Sequence, residues 1–308
     1  MTSIIETKDL KRGFKKTRAV DGLTLSVEAG ELFGLVGPDG AGKTTTLRLL
    51  AGLLDITEGE LAVLGFDLKK NAEAIKSHVG YMAQQFSLYG ELSVMENLQF
   101  FAELFDVALN DMVERAERLL AFAGLTEFKE RRAVNLSGGM QKKLALVCTL
   151  IHEPQVLLLD EPTTGVDPIS RREFWNILTE LHLQGTTIIV STPYMDEADR
   201  CSRVGLMYAG KLVECDSPKR IREKLEGDVI EIQAGDWKRT LETVSGLGGV
   251  REAQTYGEAI HLLVDSGERR LPEIESILKK ENLVYRSIRL APVRMEEAFI
   301  SLIRKLEA

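Results

Sequence analysis

A chain of 308 residues, 44% hydrophobic and 28% charged, has the make-up of an ordinary globular protein with room for one large or two modest domains. Its 39 basic against 47 acidic residues, a net charge of −8, argue against a protein whose main partner is nucleic acid, and none is expected. Three cysteines, Cys148, Cys201 and Cys215, form neither a CxxC pair nor a Cys/His cluster, which excludes a disulfide framework or zinc site and suits a reducing compartment.

The first sixteen residues are charged and have no apolar centre, unlike a signal peptide. Residues 4–10, 22–27 and 60–64 read as short strands beside turns. Residues 31–36 are an apolar strand running into a Gly-rich loop, with a helix expected from about 42 to 54. Residues 79–82 read as another strand. Residues 94–105 and 111–122 carry apolar side chains at helical spacing and predict a helical insert in an otherwise α/β domain.

From residue 137 the α/β pattern resumes. A helix is expected to about 151, a buried strand at 156–159, a helix from Pro168 to about 184 stopped by Gly185, and a β-branched strand at 186–190. Residues 204–208 and 211–214 flank Ala209-Gly210 as a hairpin. The longest apolar runs, such as 144–151, are too short to cross a bilayer, so a membrane role is expected to come through a partner chain.

A boundary is expected at 225–228, giving domains 1–225 and 226–308. The second shows strand 229–233, helix 237–244, strands 251–256 and 259–264 meeting at Gly257-Glu258, helix 271–280, strand 284–290 and a helix from Arg294. That order is the order of a small α+β ferredoxin-like unit.

Three motifs carry chemistry. Gly37, Pro38, Asp39, Gly40, Ala41, Gly42, Lys43 and Thr44 fit G-x-x-x-x-G-K-[ST], followed by Thr45. Glycines let such a loop turn its N–H groups onto phosphate oxygens, and the following helix adds its N-terminal dipole. Lys43 is expected on the β- and γ-phosphates and Thr44 on Mg²⁺. Residues 156–161 form a buried strand ending in Asp160 and Glu161. There Asp160 suits a Mg²⁺ site through the ion's water shell, and Glu161 is placed to polarise an attacking water. Residues 136–141, Leu-Ser-Gly-Gly-Met-Gln, read as a capped helix start: Ser137 as cap, Gly138 and Gly139 permitting close approach of an anion.

The third motif, lying between the other two, resembles the signature of the ATP-binding cassette (ABC) family, and further cassette motifs follow in order over about residues 3–220. Phe14 sits where the family places an aromatic that stacks on adenine. Gln84 matches the glutamine that contacts Mg²⁺ and the attacking water. Residues 164–168 resemble the loop through which two cassettes communicate, and Asp167 also suits a helix cap. The resemblance implies a P-loop α/β fold with a mixed sheet core, an antiparallel β subdomain and a helical subdomain. It implies ATP as ligand and a head-to-tail pair of cassettes, each ATP lying between one chain's phosphate loop and Ser137, Gly138 and Gly139 of the other. It also implies a multi-span membrane permease as partner, with the chain peripheral on the cytoplasmic face of the membrane. Phe86 to Tyr89 would offer apolar contacts to that permease. No guanine-reading N-K-x-D motif is present, which disfavours GTP. The tail, with Met295-Glu-Glu-Ala-Phe299, resembles that of drug and polysaccharide exporters, and the chain looks like the first half of tandem two-cassette exporters.

One position departs. Where the family carries a histidine that contacts the γ-phosphate, this chain has Pro193, and His78, His152, His182 and His261 all fall elsewhere. Proline offers neither a side-chain donor nor a backbone N–H. Thr192 or Tyr194 would supply at most a hydroxyl. Two expectations stand side by side: slowed hydrolysis with near-normal binding, or catalysis resting on Glu161 alone. The second cassette is then either another copy of this chain, a homodimer, or, as the first expectation suggests, a heterodimer partner with an intact histidine. Competing functions are a soluble ABC ATPase and a nucleotide sensor with weak hydrolysis.

Overall fold

Parallel strands buried on both faces are rich in apolar residues, and the central segments here are: β3 (Leu32–Val36) and β7 (Val156–Asp160) expose nothing along their length, nor does β8 (Thr187–Thr192), and polar side chains stand only at the ends of β7 and β8. The computed structural model describes residues 3–15, 17–85 and 88–307. Phe86 and Ser87, which the expected permease contact includes, lie outside the described residues. The chain divides into two compact units, Met1–Pro218 and Lys219–Ala308.

In the first unit, β1 (Ser3–Phe14) and β2 (Thr17–Glu28) join β4 (Glu58–Val63) and β5 (Phe66–Asp67) in an antiparallel sheet of order β2-β1-β4-β5. β1 and β2 run longer than expected. The register slips between Thr7 and Leu10, around Asp9 with φ 46°, and the bulge breaks the alternation by which a strand is recognised in sequence. The second sheet has order β10-β9-β3-β8-β7-β6, completed by β6 (Val79–Met82), β9 (Arg203–Tyr208) and β10 (Lys211–Asp216). All its neighbours are parallel except the β9–β10 hairpin.

Helix α1 (Lys43–Leu50) is shorter than the expected 42–54, because Gly52 at φ 69° turns the chain into the left-handed region. α2 (Leu68–His78) is absent from the sequence expectations: it buries only Leu68 and Ile75, kinks at Asn71, and so shows no apolar stripe. The insert is α3 (Val94–Leu104), opened by a Ser93/Glu96 capping box, and α4 (Leu109–Ala123), closed by Gly124. α5 (Gly138–Leu150) and α6 (Pro168–Leu183) follow, capped by Ser137 and Asp167. Asp167 accepts from the N–H groups of Ile169 and Ser170, both at 3.0 Å.

A short helix, α7 (Pro218–Glu223), leads into the second unit. The expected boundary near 225 falls a few residues past the division; residues 218–225 are too polar and too few to show a helical period. The second unit has β11 (Asp228–Ala234), α8 (Trp237–Ser245), β12 (Val250–Tyr256), β13 (Ala259–Val264), α9 (Gly267–Lys280), β14 (Tyr285–Ala291) and α10 (Met295–Glu307). Its antiparallel sheet has order β12-β13-β11-β14, the ferredoxin-like arrangement, over a core that includes Ile230, Ile260, Leu262 and Leu278. No described helix is long and apolar enough to cross a membrane.

Candidate functional site

The parallel registers set Val36 beside Thr192, Ser191 beside Asp160, and Leu159 beside Met82. The loops carrying Gly37, Glu161, Pro193 and Gln84 therefore leave the same, carboxyl edge of one sheet, where open α/β sheets bind ligands. A cleft of about 480 Å³ opens there. It is lined by Asp39, Gly40, Ala41, Gly42, Lys43, Thr44, Thr45, Gln84 and Glu161, all expected, and by Thr17, Arg18 and Ala19, which were not.

Two of the loop's three glycines are sterically required. Gly42 sits at φ 103°, and a Cβ there would lie 2.3 Å from the Ala19 carbonyl oxygen; one on Gly37 would lie 2.2 Å from that of Met207. Gly40, at φ 77°, has open space around it. Lys43 is buried, and its ammonium donates to the carbonyls of Gly37 (2.8 Å) and Pro38 (3.0 Å) and pairs with Glu161 Oε1 at 3.2 Å. The same carboxylate accepts from Gln84 Nε2 at 2.8 Å. Glu161 is held at φ 47°, a costly conformation for a side-chain-bearing residue, with its N–H donating to Ser191 Oγ at 3.0 Å.

Asp160 is wholly buried and accepts three hydroxyls: Thr44 at 3.0 Å and Ser191 at 2.8 Å on Oδ1, Tyr81 at 3.2 Å on Oδ2. Burial raises the Tyr81 phenol above its ordinary range, keeping it a donor. Tyr81 and Ser191 carried no motif signal, since Tyr81 is a lone polar residue in an apolar strand and Ser191 one of three hydroxyl residues in a β-branched one.

Phe14 is half-exposed at the end of β1, opposite Thr17 in the ladder, with the Arg12 guanidinium 4.7 Å from its ring centre; it does not line the cleft itself. Ser137, Gly138 and Gly139 do not line the cleft either. Ser137 accepts from Met140 N–H at 3.3 Å, a Cβ on Gly138 would meet nothing within 4 Å among the described residues outside its own helix backbone, and one on Gly139 would meet Ser170 Oγ at 2.4 Å.

Around Pro193 the structure decides what the neighbouring hydroxyls do. Thr192 donates to Glu197 Oε2 at 2.6 Å and accepts the Tyr194 N–H at 3.0 Å. The Arg171 guanidinium lies 4.4 Å over the Tyr194 ring. Glu197 is 1% exposed, and its Oε1 accepts from Thr163 (2.7 Å), Arg171 Nε (2.7 Å) and Trp175 Nε1 (2.9 Å). One carboxylate thus ties the segment after Glu161, helix α6 and the turn at Pro193. Glu197→Ala leaves the partly buried Arg171 cation without its main partner and is expected to cost roughly 3–5 kcal/mol, read as a lower denaturant midpoint. An unchanged midpoint would show that the network is dispensable.

A family model described as "ABC transporter" matches residues 20–164. The chain is 42% identical over 226 residues to the probable multidrug ABC transporter ATP-binding protein YbhF of Escherichia coli strain K12, covering 73% of this chain and 39% of that protein, so it spans about two-fifths of this relative's length. It is 33% identical over 304 residues to the Nod factor export ATP-binding protein I of Cupriavidus metallidurans, covering 98% of each. Among solved structures, cbiO1 of Clostridium perfringens, part of an ABC transporter complex, superposes with a TM-score of 0.67 at 26% identity over 73% of this chain and 92% of that one. With near full-length similarity to the Nod factor export ATP-binding protein I and a sheet edge that gathers the Gly-rich loop, Asp160, Glu161 and Gln84, the chain belongs to the ABC transporter family.

Proposed function

We propose that the chain binds and hydrolyses ATP to drive export through a separate multi-span membrane permease, on the cytoplasmic face of the membrane. The observation that carries this is the convergence of Lys43, Thr44, Gln84 and Glu161 on one cleft, with the buried Asp160 behind Thr44. The phosphates lie along the loop of residues 37–45, with adenine towards Phe14 at the rim. Lys43 moves from Glu161 Oε1 onto the phosphates, which frees that oxygen to take a proton from the attacking water. Thr44 and Asp160, hydroxyl and carboxylate 3.0 Å apart, are hard oxygen donors suited to Mg²⁺, with Gln84 beside them. When bound, the ion neutralises charge on the phosphate oxygens. Support for export comes from the relatives, which are named for multidrug and Nod factor export.

The site is completed in trans. Ser137, Gly138 and Gly139 head α5 away from this chain's own cleft, so they serve the ATP of a second cassette. Because Pro193 brings no donor, that second cassette is a different chain with an intact switch histidine. Size-exclusion chromatography with Mg-ATP is expected to show little homodimer, and a membrane protein with several spans is expected to co-purify. A tight ATP-dependent homodimer would overturn the heterodimer.

A second reading, a nucleotide sensor with weak hydrolysis, is favoured by one observation: the Thr192 hydroxyl is committed to Glu197 and does not replace a histidine. Steady-state ATPase assays with and without the permease separate the two.

A further inference from the structure

We propose that Lys142 is a positioning residue for Gln84, and that it gives the cleft its preference for a nucleoside triphosphate over a diphosphate. This deepens, and rests on, the reading of the cleft as an ATP site. Lys142 stands in the first turns of α5, and its Nζ donates to the Gln84 carbonyl at 2.7 Å. On its other side Gln84 donates through Nε2 to Glu161 at 2.8 Å. One residue is therefore held at both ends: its backbone by a cation from the helix headed by Ser137, its side chain by the proposed base.

The pairing is selective. Residues 138–150 contain no acidic side chain, so Lys142 has no carboxylate one turn away on its own helix. The adjacent Lys143 pairs with Glu173 at 2.7 Å, whereas Lys142 places its charge on a carbonyl. Burial lowers the Lys142 pKa, while Asp160 and Glu161 pull it back up, so the ammonium feels both carboxylates of the cleft.

Two physical effects then favour a triphosphate. Pinning the Gln84 carbonyl restricts where its side-chain amide reaches, and that amide already points at Glu161, at the end of the cleft assigned to the γ-phosphate. The γ-phosphate also brings negative charge towards the Lys142 ammonium in a partly desolvated setting, where attraction is stronger than in water. A diphosphate reaches neither.

The test is calorimetric titration of the intact chain with Mg-ADP and with the non-hydrolysable triphosphate analogue Mg-AMP-PNP. Lys142→Met is expected to keep its affinity for Mg-ADP and to lose about tenfold of the preference for Mg-AMP-PNP, in keeping with loss of a hydrogen bond from a charged donor. Lys142→Arg, which retains cation and donors, keeps the preference, and so does Lys143→Met. Should Lys142→Met not fold, Lys142→Gln makes the same comparison. An equal loss for both nucleotides, or an unchanged preference, overturns the inference. A parent chain that binds neither nucleotide overturns the ATP-site reading instead.

Discussion

Glu161→Gln is expected to bind ATP as the parent does and to hydrolyse it roughly 10²–10⁴-fold more slowly, the range a positioned general base contributes. The amide fills the same space, and its oxygen still accepts the Gln84 hydrogen bond seen at 2.8 Å. What disappears is the negative charge that takes up a proton, together with the buried pairing to Lys43 at 3.2 Å. Lys43 then has only the Gly37 and Pro38 carbonyls to leave when phosphates arrive, so binding does not suffer. Single-turnover hydrolysis measured beside nucleotide affinity checks both halves. A variant that turns over as fast as the parent would remove Glu161 from this role.

Pro193→His should raise turnover by roughly 10²–10³-fold at nearly constant ATP affinity, the worth of one well-placed electrostatic contact in a catalytic site. The neighbouring groups leave that contact unfilled: the Thr192 hydroxyl is spent on Glu197, and Tyr194 lies beneath Arg171. Histidine takes up the backbone angle that proline enforces, and the turn stays fixed by Tyr194 N–H to Thr192. The assay is steady-state ATPase on the chain with its partner cassette. Unchanged turnover would show that Glu161 and Lys43 carry the chemistry without a switch residue, the other of the two expectations that the sequence leaves standing.

Much of the nucleotide cleft was legible because backbone chemistry writes it into a short contiguous string. A phosphate loop needs glycine where a Cβ would strike the carbonyls of Ala19 or Met207, so residues 37–44 carry a readable pattern. Strands β3 and β7 were legible because burial on both faces favours apolar runs, and β8 because it is rich in β-branched residues. Helix α2 was not, since it buries one thin edge, and the bulged β1 was only half seen.

The sequence by itself determined that this protein has a G-x-x-x-x-G-K-T loop, a strand ending in two carboxylates, a capped glycine-rich helix start and a proline at 193. Each is local, fixed by a few adjacent residues and the backbone angles they allow. Only the tertiary structure decided which distant side chains serve them. Strand register brings Ser191 to Asp160, packing aims Tyr81 at the same carboxylate, and helix α5 sets Lys142 on the Gln84 carbonyl. It also decided that Thr192 answers to Glu197. The pairings of Ser191, Tyr81 and Lys142 depend on how the chain returns to one sheet edge across tens of residues, and a hydrogen bond between residues that far apart leaves no period or spacing in the sequence.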